Sequence, residues 1–469
     1  MEKTSAIILA AGEGKRMNSK TPKVLCEVLE KPLIDWVIKA SINAKIEKKC
    51  VVLGNKAEYV KKYIENTHKN EDIYFSFQQK QKGTADAVKS ATNFLQNNYY
   101  GDVFICCADA PLLDEKTIKD AYTSHKEKNA AVTTISANIK NPKGLGRILR
   151  DKNQKLIKIV EEKDATTEEL KITEVNSGAY WFNIKELLEI LNEINSKNAQ
   201  CEYYLTDAIN ILYKKNKNLN CFITKNEYVI LGANTRLELL KINEIAKNKI
   251  IEDWAENGVN FISTEGVLIY PEVVIKKNTT ILPGSILKGK TTIGENCIIG
   301  PNSLIENSVV ENNCKINASQ IYNSQIARST TIGPFSHIRP NSKIANNVKI
   351  GDFVEIKNSE IGAGSSISHL TYVGDSDVGK NVNFGCGVVT INYDGVKKSR
   401  CTISDGAFIG CNTNLVAPVK LGKNAYTAAG STITKDVPEE ALAIERTKQI
   451  IIKDFSKNKL KNRKLKIKD

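Results

Sequence analysis

Residues 326–356 read IARSTTIGPFSHIRPNSKIANNVKIGDFVEI. An isoleucine stands at every sixth position of this stretch, in the series Ile326, Ile332, Ile338, Ile344, Ile350 and Ile356. Half-buried strands of ordinary sheets repeat every second residue, so a period of six indicates a different architecture. One strand and corner of six residues buries one aliphatic side chain, and stacked coils join these side chains into a core. The stretch therefore predicts a β-helix of hexapeptide repeats.

The same period extends to both sides of this stretch. Its other members are Ile293, Ile299, Ile305, Ile403, Ile409, Leu415 and Leu421. Residues 368–372 and residues 392–400 interrupt the series. Because loops on a rigid scaffold often carry function, we expect site residues at these two interruptions.

The chain ahead of the repeats follows another pattern. Up to about residue 230, short apolar runs alternate with amphipathic stretches, which indicates an α/β sheet domain. A linking helix is predicted next, with Asn234 as its cap. Its expected apolar face consists of Leu237, Leu240, Ile245 and Ile251. We therefore expect a first domain over residues 1–234, a helical linker over 235–257, and the β-helix with a basic tail over 258–469.

Composition narrows the class of protein. The formal charge is +14, but only residues 448–469 concentrate the lysines, so we expect no nucleic-acid partner. No apolar run approaches the roughly 18 residues of a membrane span, so we expect no membrane insertion. Eleven cysteines without a Cys-x-x-Cys pair indicate reduced thiols, and we expect a cytoplasmic protein.

A glycine-rich loop follows the first predicted strand. Residues 9–17 read LAAGEGKRM, and a Pro-Lys pair ends at Lys23. Glycines let backbone N–H groups approach a phosphate, and Arg16 and Lys23 supply fixed positive charge. The loop therefore predicts a phosphate-binding site.

This loop resembles the signature of the sugar-1-phosphate nucleotidyltransferases, L-x-x-G-x-G-x-R-M followed by P-K. With the repeats behind it, nearly the whole chain resembles the bifunctional N-acetylglucosamine-1-phosphate uridyltransferase/glucosamine-1-phosphate acetyltransferases. The resemblance implies a Rossmann-like mixed sheet in the first domain, a left-handed parallel β-helix in the second, and a homotrimer. It also implies three small-molecule substrates, glucosamine 1-phosphate, acetyl-CoA and UTP, with Mg²⁺ as cofactor.

The resemblance implies a uridylyl-transfer site in the first domain. Arg16 and Lys23 would be catalytic, and Asp109 and Asn234 would bind Mg²⁺, a hard cation that prefers oxygen ligands. The implied UTP-binding and product-binding residues are Leu9, Ala10, Ala11, Gly12, Lys23, Gln78, Gly83, Thr84, Asp109, Gly146, Glu161, Asn176 and Asn234.

The resemblance also implies an acetyl-transfer site in the repeats. His369 would be the general base, since an imidazole with an ordinary pKa of about 6.5 can accept a proton at neutral pH. Glu355 would orient it, and the backbone N–H of Cys386 would donate to the oxyanion. The implied acceptor and acetyl-CoA residues are Arg339, Lys357, Tyr372, Asn383, Cys386, Asn392, Tyr393, Cys411, Ala429 and Arg446. The family usually has alanine at the position of Cys386 and serine at that of Cys411.

The sequence is also compatible in outline with two other functions. A monofunctional sugar nucleotidyltransferase, whose repeats only regulate or oligomerise, would need no base in the solenoid, and His369 beside Arg339 and Lys357 counts against it. A non-catalytic scaffold subunit would tolerate decay of the glycine loop or of Asp109, and both are intact. The sequence favours the bifunctional enzyme over both.

Overall fold

The computed structural model of the protein describes residues 4–457, 459 and 460. The chain divides into two compact units, and their boundary in the sequence lies between Asn248 and Lys249. This boundary falls inside the helix Arg236–Glu256.

The first unit is built around a β-sheet. Its strands are β1 (Thr4–Ala10), β2 (Glu27–Val28), β3 (Lys31–Pro32), β4 (Lys48–Leu53), β5 (Ile73–Phe77), β6 (Asp102–Cys107), β7 (Val132–Asn138), β8 (Arg147–Arg150), β9 (Leu156–Val160), β10 (Glu174–Asn183) and β11 (Leu219–Ile223). The main sheet has the order β11-β7-β10-β6-β1-β4-β5, β8 and β9 extend it, and β2 and β3 pair separately. Strand β1 is parallel to β4 and β6, whereas β10 is antiparallel to β6 and β7. The predicted Rossmann-like mixed sheet is confirmed.

Helices cover both faces of this sheet. The helices of the first unit are α1 (Leu33–Asn43), α2 (Ala57–Thr67), α3 (Thr84–Lys89), α4 (Thr92–Gln96), α5 (Glu115–Glu127), α6 (Thr167–Leu170), α7 (Ile184–Ile190) and α8 (Asp207–Lys214), and α9 (Arg236–Glu256), which contains the unit boundary, follows them. Successive residues of a strand point to opposite faces. Ile7 therefore belongs to the core cluster that includes Val88 and Leu187, and Ile8 belongs to the cluster with Val37 and Ile118.

The pairing of β1 with β6 positions the functional loops. The two strands are parallel neighbours, with Leu9 opposite Cys107. The glycine-rich loop after β1 and the turn after β6 therefore leave the sheet at the same edge, where open α/β sheets bind ligands.

The second unit is the predicted left-handed parallel β-helix, and its strands form three faces. Face 1 contains β12 (Asn260–Phe261), β15 (Thr280–Ile281), β18 (Ile298–Ile299), β21 (Lys315–Ile316), β24 (Thr331–Ile332), β27 (Lys349–Asp352), β30 (Ser366–His369), β33 (Asn383–Phe384), β36 (Phe408–Ile409), β39 (Tyr426–Thr427) and β41 (Leu442–Ala443). Face 2 contains β13 (Leu268–Ile269), β16 (Ile286–Lys288), β19 (Leu304–Glu306), β22 (Gln320–Tyr322), β25 (His337–Ile338), β28 (Glu355–Lys357), β31 (Tyr372–Gly374), β34 (Val389–Ile391), β37 (Asn414–Val416) and β40 (Thr432–Ile433). Face 3 contains β14 (Val274–Ile275), β17 (Thr292–Ile293), β20 (Val309–Val310), β23 (Gln325–Ile326), β26 (Lys343–Ile344), β29 (Glu360–Ile361), β32 (Ser376–Val378), β35 (Cys401–Ile403) and β38 (Val419–Leu421).

The isoleucines of the six-residue series form the core of the β-helix. Ile326, Ile332 and Ile338 lie on three successive faces, and all three are buried. Thr331 pairs with Lys349, so one coil takes three six-residue steps. Each coil therefore stacks its buried side chains on those of the previous coil.

One expected interruption of the repeat is real and the other is wrong. Residues 392–400 form an excursion between the face 2 strand β34 and the face 3 strand β35 of one coil, and a bridge between Tyr393 and Lys398 closes it. Residues 368–372 do not leave the register, because Ile367 and Val373 are buried six residues apart on adjoining faces.

Helix α9 differs from the expected helix in its cap and its buried face. Thr235 is the cap: its hydroxyl accepts from the Glu238 N–H at 3.2 Å, and the Glu238 carboxylate accepts from the Thr235 N–H at 2.8 Å. Leu237 and Leu240 are exposed, so the expected apolar face is wrong at these positions. The buried helix residues include Leu239, Ile242, Ala246 and Ile251.

Among the residues that the structure describes, we find no helix with the length and apolar character of a membrane span.

Candidate functional site

A cavity of about 240 Å³ opens at the edge of the first-unit sheet where β1 and β6 end. Nine of the residues expected to bind UTP or product line it, namely Leu9, Ala10, Ala11, Gly12, Lys23, Gln78, Gly83, Thr84 and Asp109. The structure therefore brings together loops that lie far apart in the sequence.

The two glycines of the loop after β1, Gly12 and Gly14, play different structural roles. Gly14 has a φ of +66°, and a Cβ there would lie 2.6 Å from the Cβ of Lys23, so only glycine lets Lys23 approach. A Cβ at Gly12 would meet no heavy atom within 4 Å. The backbone at Gly12 therefore faces open space at the cavity, as a phosphate-binding loop requires.

The ammonium of Lys23 joins the two expected metal ligands. It contacts the Asp109 carboxylate and lies 2.7 Å from the side-chain oxygen of Asn234. Arg16 also donates to that Asn234 oxygen, at 3.1 Å. Two hard oxygen donors thus converge on one positive charge, which is the chemistry that Mg²⁺ selects. The residues therefore fit the metal, although no group of three or more His, Cys, Asp or Glu suited to a metal occurs in the described part of the chain.

Gln78, Gly83 and Thr84 form one wall of the cavity. The Gln78 amide donates to the Gly83 carbonyl at 3.2 Å, and Gly83 has a φ of +119°. A Cβ at Gly83 would lie 2.5 Å from the carbonyl oxygen of Tyr203, so this position requires glycine. The Thr84 hydroxyl accepts from the Leu205 N–H at 2.9 Å. The backbone after Tyr203 therefore holds this wall in place.

Three further residues expected to bind UTP or product, Gly146, Glu161 and Asn176, form a separate cluster in the first unit. The Asn176 N–H donates to the Gly146 carbonyl at 2.9 Å, and Thr206 donates to Glu161 at 3.2 Å. Burial raises the pKa of Glu161. The side chain of Asn176 is already engaged by Thr134 and Tyr180.

His369 lies at the end of β30 on face 1 and is exposed. Its Nδ1 is 3.0 Å from a carboxylate oxygen of Asp352, which lies one coil earlier in register with it. The carboxylate's own backbone N–H and then His369 lower the pKa of Asp352. This pairing engages Nδ1 of the ring.

The structure of the single chain does not place Glu355 against His369, and its orienting role stays a prediction. Glu355 lies on face 2, opposite Tyr372 in register, and its carboxylate accepts from Arg339 at 2.8 Å. Sequence reasoning missed Asp352, although the coil length was a usable signal, because a residue one coil before His369 must lie beside it.

Positive charge gathers on face 2 near Tyr372. The neighbouring Lys398 and then burial lower the pKa of Lys357, and Arg339 lowers it further. Lys398 belongs to the excursion of residues 392–400, and sequence reasoning did not single it out. Asn392 donates to the buried Asp375 and lies 3.4 Å from the Tyr372 hydroxyl. The hydroxyl of Tyr393 instead donates to the Gly395 carbonyl at 2.6 Å.

The expected coenzyme residues form a column along one corner of the β-helix. The N–H of Gly387 donates to the His369 carbonyl at 3.3 Å, that of Asn412 to Cys386 at 2.7 Å, and that of Gly430 to Cys411 at 2.8 Å. Arg446 donates to the Ala429 carbonyl at 3.3 Å. The column thus runs through His369, Cys386, Cys411, Ala429 and Arg446. Asn383 lies exposed in β33, the face 1 strand next to that of His369.

Both units match known families of transferases. Residues 5–254 match the nucleotidyl transferase family, and residues 272–307 and 323–358 match the bacterial transferase hexapeptide (six repeats) family. The phosphate loop and the solenoid therefore define a nucleotidyltransferase joined to a hexapeptide transferase.

Full-length relatives narrow this class. The chain is 46% identical to the bifunctional protein GlmU of Acetivibrio thermocellus, with 97% of each chain covered. It is 47% identical to that of Clostridium novyi, covering 96% of this chain and 98% of the relative, and 48% identical to that of Clostridium tetani, covering 97% and 98%. The chain belongs to the family of bifunctional GlmU proteins. It is a bifunctional enzyme, a uridyltransferase and an acetyltransferase.

Proposed function

We propose that the two activities act in sequence to make UDP-N-acetylglucosamine. The acetyl group of acetyl-CoA passes to glucosamine 1-phosphate in residues 258–469, and UTP then uridylylates the product in residues 1–234, with 235–257 as linker. The observation that carries this proposal is that one chain holds two separate reactive arrangements: Lys23 between Asp109 and Asn234, and Asp352 beside His369.

In uridylyl transfer, a phosphate oxygen of the sugar attacks the α-phosphorus of UTP, and pyrophosphate leaves. Mg²⁺, held by Asp109 and Asn234, would neutralise phosphate charge when bound. Lys23 balances the Asp109 carboxylate in the free chain, and its ammonium is available to phosphate oxygens. Arg16 adds a second fixed charge at the same edge. Positioning and charge carry most of the catalysis in such a transfer.

The remaining cavity residues hold the nucleotide and the sugar. The backbone from Leu9 to Gly12 presents N–H groups to the triphosphate. The wall of Gln78, Gly83 and Thr84 offers amide, backbone and hydroxyl groups to the uracil base of UTP. Gly146, Glu161 and Asn176 contribute the neighbouring polar surface.

In acetyl transfer, His369 removes a proton from the ammonium of glucosamine 1-phosphate. The freed amine attacks the thioester carbon of acetyl-CoA, the carbon–sulfur bond breaks, and the coenzyme thiolate takes up a proton. Asp352 holds Nδ1, which leaves Nε2 as the acceptor, and its carboxylate stabilises the imidazolium that forms. We assign the Cys386 N–H as donor to the oxyanion.

The face 2 charges bind the acceptor, and the corner column binds the coenzyme. Arg339, Lys357 and Tyr372 suit a sugar phosphate, with Asn383, Asn392 and Tyr393 around it. Cys411, Ala429 and Arg446 continue the column away from His369 and suit the coenzyme.

Assembly into a homotrimer is supported by an apolar column beside the base. Phe335, Phe353 and Leu370 are exposed at one corner, with φ of 58°, 57° and 45°. The rings of Phe335 and Phe353 stack at 5.4 Å. Bulky residues rarely adopt this conformation, and an exposed apolar column suits contact with another subunit.

We place the enzyme in the cytoplasm, since all eleven cysteines are free.

The test is an omission assay on purified protein with glucosamine 1-phosphate, acetyl-CoA, UTP and Mg²⁺. Free thiol and pyrophosphate are followed separately. We expect thiol release without UTP, and pyrophosphate release only after acetylation. Pyrophosphate without thiol would favour a monofunctional nucleotidyltransferase.

A further inference from the structure

Cys386 and Cys411 occupy equivalent positions in adjacent coils. Strands β33 and β36 pair in parallel, with Asn383 opposite Phe408, and the bond from the Asn412 N–H to the Cys386 carbonyl at 2.7 Å continues this register beyond the strands. Parallel neighbours lie about 4.7–4.9 Å apart. This spacing falls within the window of about 4.4–6.8 Å between Cα atoms that a disulfide needs.

The backbone approach at this corner is close. A Cβ added at Gly385 would lie 2.5 Å from the backbone nitrogen of Cys411 and 2.8 Å from its Cα. Residues at equivalent positions of stacked coils also direct their side chains the same way. The two thiols are therefore neighbours on the outside of the solenoid.

Exposure separates this pair from another cysteine pair in the same solenoid. Cys411 is exposed and Cys386 is partly exposed. Cys297 and Cys314 also stand opposite each other in adjacent coils, next to the paired Ile298 and Lys315, but both are fully buried. A reagent in solution can therefore reach the first pair and not the second.

The exposed pair also lies within the corner column. Cys386 follows His369 by one coil, and Cys411 precedes Ala429 by one coil. The column is the surface to which we assign acetyl-CoA, so this inference rests on the proposed function. A covalent bond between the two thiols would lie between the base and the rest of the coenzyme surface.

We propose that Cys386 and Cys411 are a redox modification site, at which a low-molecular-weight disulfide of the coenzyme A class oxidises the pair and closes the acetyl-transfer site. Exposed Cys411 is the attacking thiol and Cys386 the resolving thiol. The uridylyl-transfer site contains neither residue, so it keeps its activity.

The chemistry is two successive thiol–disulfide exchanges. The Cys411 thiolate attacks one sulfur of the reagent, the reagent's sulfur–sulfur bond breaks, and one coenzyme thiolate leaves and takes up the proton lost by Cys411. The Cys386 thiolate then attacks the Cys411 sulfur, and the second coenzyme thiol leaves with the proton of Cys386. The pair is oxidised by two electrons and the reagent is reduced to two thiols.

The experiment treats reduced full-length protein with oxidised coenzyme A in one arm and with hydroxyethyl disulfide in the other. Intact mass, peptide mapping and both activities are measured. With oxidised coenzyme A we expect a mass lower by two hydrogen atoms, a peptide joining Cys386 to Cys411, and acetyl transfer lowered on the order of a hundredfold. Uridylyl transfer should not change, and dithiothreitol should restore acetyl transfer. The hydroxyethyl disulfide should react more slowly at equal concentration, and equal rates would contradict the coenzyme as the oxidant.

Matched variants assign the two roles. Cys386→Ser should retain a coenzyme adduct on Cys411, whereas Cys411→Ser should form neither adduct nor bridge. Each variant's acetyl transfer is compared with that of its own reduced form, because both residues lie in the site. Cys201→Ser removes an exposed thiol of the first unit and should leave the bridge unaffected.

Two results would overturn the proposal: adducts on Cys201 with no Cys386–Cys411 bridge, or a bridge that leaves acetyl transfer unchanged. Reduced protein without any acetyl transfer would instead contradict the proposed function, while the mass measurement would still decide whether the bridge forms.

Discussion

At the scale of single residues, acetyl transfer depends on how one imidazole is held. Asp352 fixes the His369 ring at 3.0 Å, and the lowered pKa of this carboxylate keeps it ionised below the pH at which an ordinary aspartate protonates. We therefore expect Asp352→Asn to lower kcat for acetyl transfer by about tenfold to a hundredfold. Steady-state kinetics of acetyl transfer check this.

Glu355→Gln is the matched comparison, because Glu355 pairs with Arg339 at the acceptor surface. We expect it to raise the KM for glucosamine 1-phosphate and to leave kcat nearly unchanged. A lowered kcat in Glu355→Gln together with an ordinary kcat in Asp352→Asn would reverse the assignment and favour Glu355 as the orienting residue.

A second residue-scale prediction concerns Gly14. Its φ of +66° and the 2.6 Å approach of Lys23 leave no room for a methyl group. Gly14→Ala should cost the first unit about 1–3 kcal/mol and lower uridylyl transfer, with acetyl transfer retained. Thermal unfolding and both activities check this. Gly144→Ala is the control, since Gly144 has a φ of +82° but no heavy atom within 4 Å of its Cβ position. Equal losses in both variants would mean that the contact with Lys23 is unimportant.

The sequence predicted individual residues unevenly. The phosphate loop was predictable because glycines and basic residues follow a strand at close spacing, and the structure groups most of the expected residues around one cavity. The partner of His369 was not predictable in the same way. Asp352 and Glu355 are both nearby carboxylates, and only the register of the coils shows that Asp352 lies beside His369. Asparagine and threonine are both common helix caps, so the sequence does not show which of Asn234 and Thr235 caps α9. In the structure, Lys23 engages the side chain of Asn234, and Thr235 is the cap.

At the scale of elements, the stability of the solenoid rests on its buried ladder. Ile350 is fully buried on face 1, and its neighbour Lys349 is exposed. Ile350→Ala should therefore destabilise the second unit by about 2–5 kcal/mol, measured by denaturant unfolding. Lys349→Ala should have an effect within about 0.5 kcal/mol of zero. A similar loss in both variants would contradict the inward direction of the six-residue series.

The apolar column of Phe335, Phe353 and Leu370 is the element we assign to subunit contact. Phe353→Asn removes the ring while keeping a residue that tolerates a positive φ. We expect the mass in light scattering to shift from trimer towards monomer. Tyr100→Asn, at an exposed tyrosine of the first unit, is the control and should remain trimeric. An unchanged trimer in Phe353→Asn would place the subunit contact elsewhere.

Elements were more predictable than their details. The β-helix followed from a period of six because each inward position had to be apolar. The buried face of α9 did not follow, because apolar residues occur on more than one side of this helix and Leu237 and Leu240 are exposed. Residues 368–372 look irregular in sequence, yet they keep the register because Ile367 and Val373 stay buried six residues apart.

At the scale of the whole molecule, we propose that two sites work independently on successive steps. His369→Ala should lose acetyl transfer and retain uridylyl transfer, and Asp109→Ala should do the reverse. Each substitution removes a group that belongs to only one of the two units. If the two variants are mixed, the intermediate N-acetylglucosamine 1-phosphate must therefore diffuse through solution from one variant to the other.

The most direct measurement mixes these two purified variants with glucosamine 1-phosphate, acetyl-CoA, UTP and Mg²⁺ and follows UDP-N-acetylglucosamine. Neither variant alone should form it, and the mixture should, after a lag in which the intermediate accumulates. Loss of both activities in either variant, or no product from a mixture whose members each retain one activity, would contradict two independent sites.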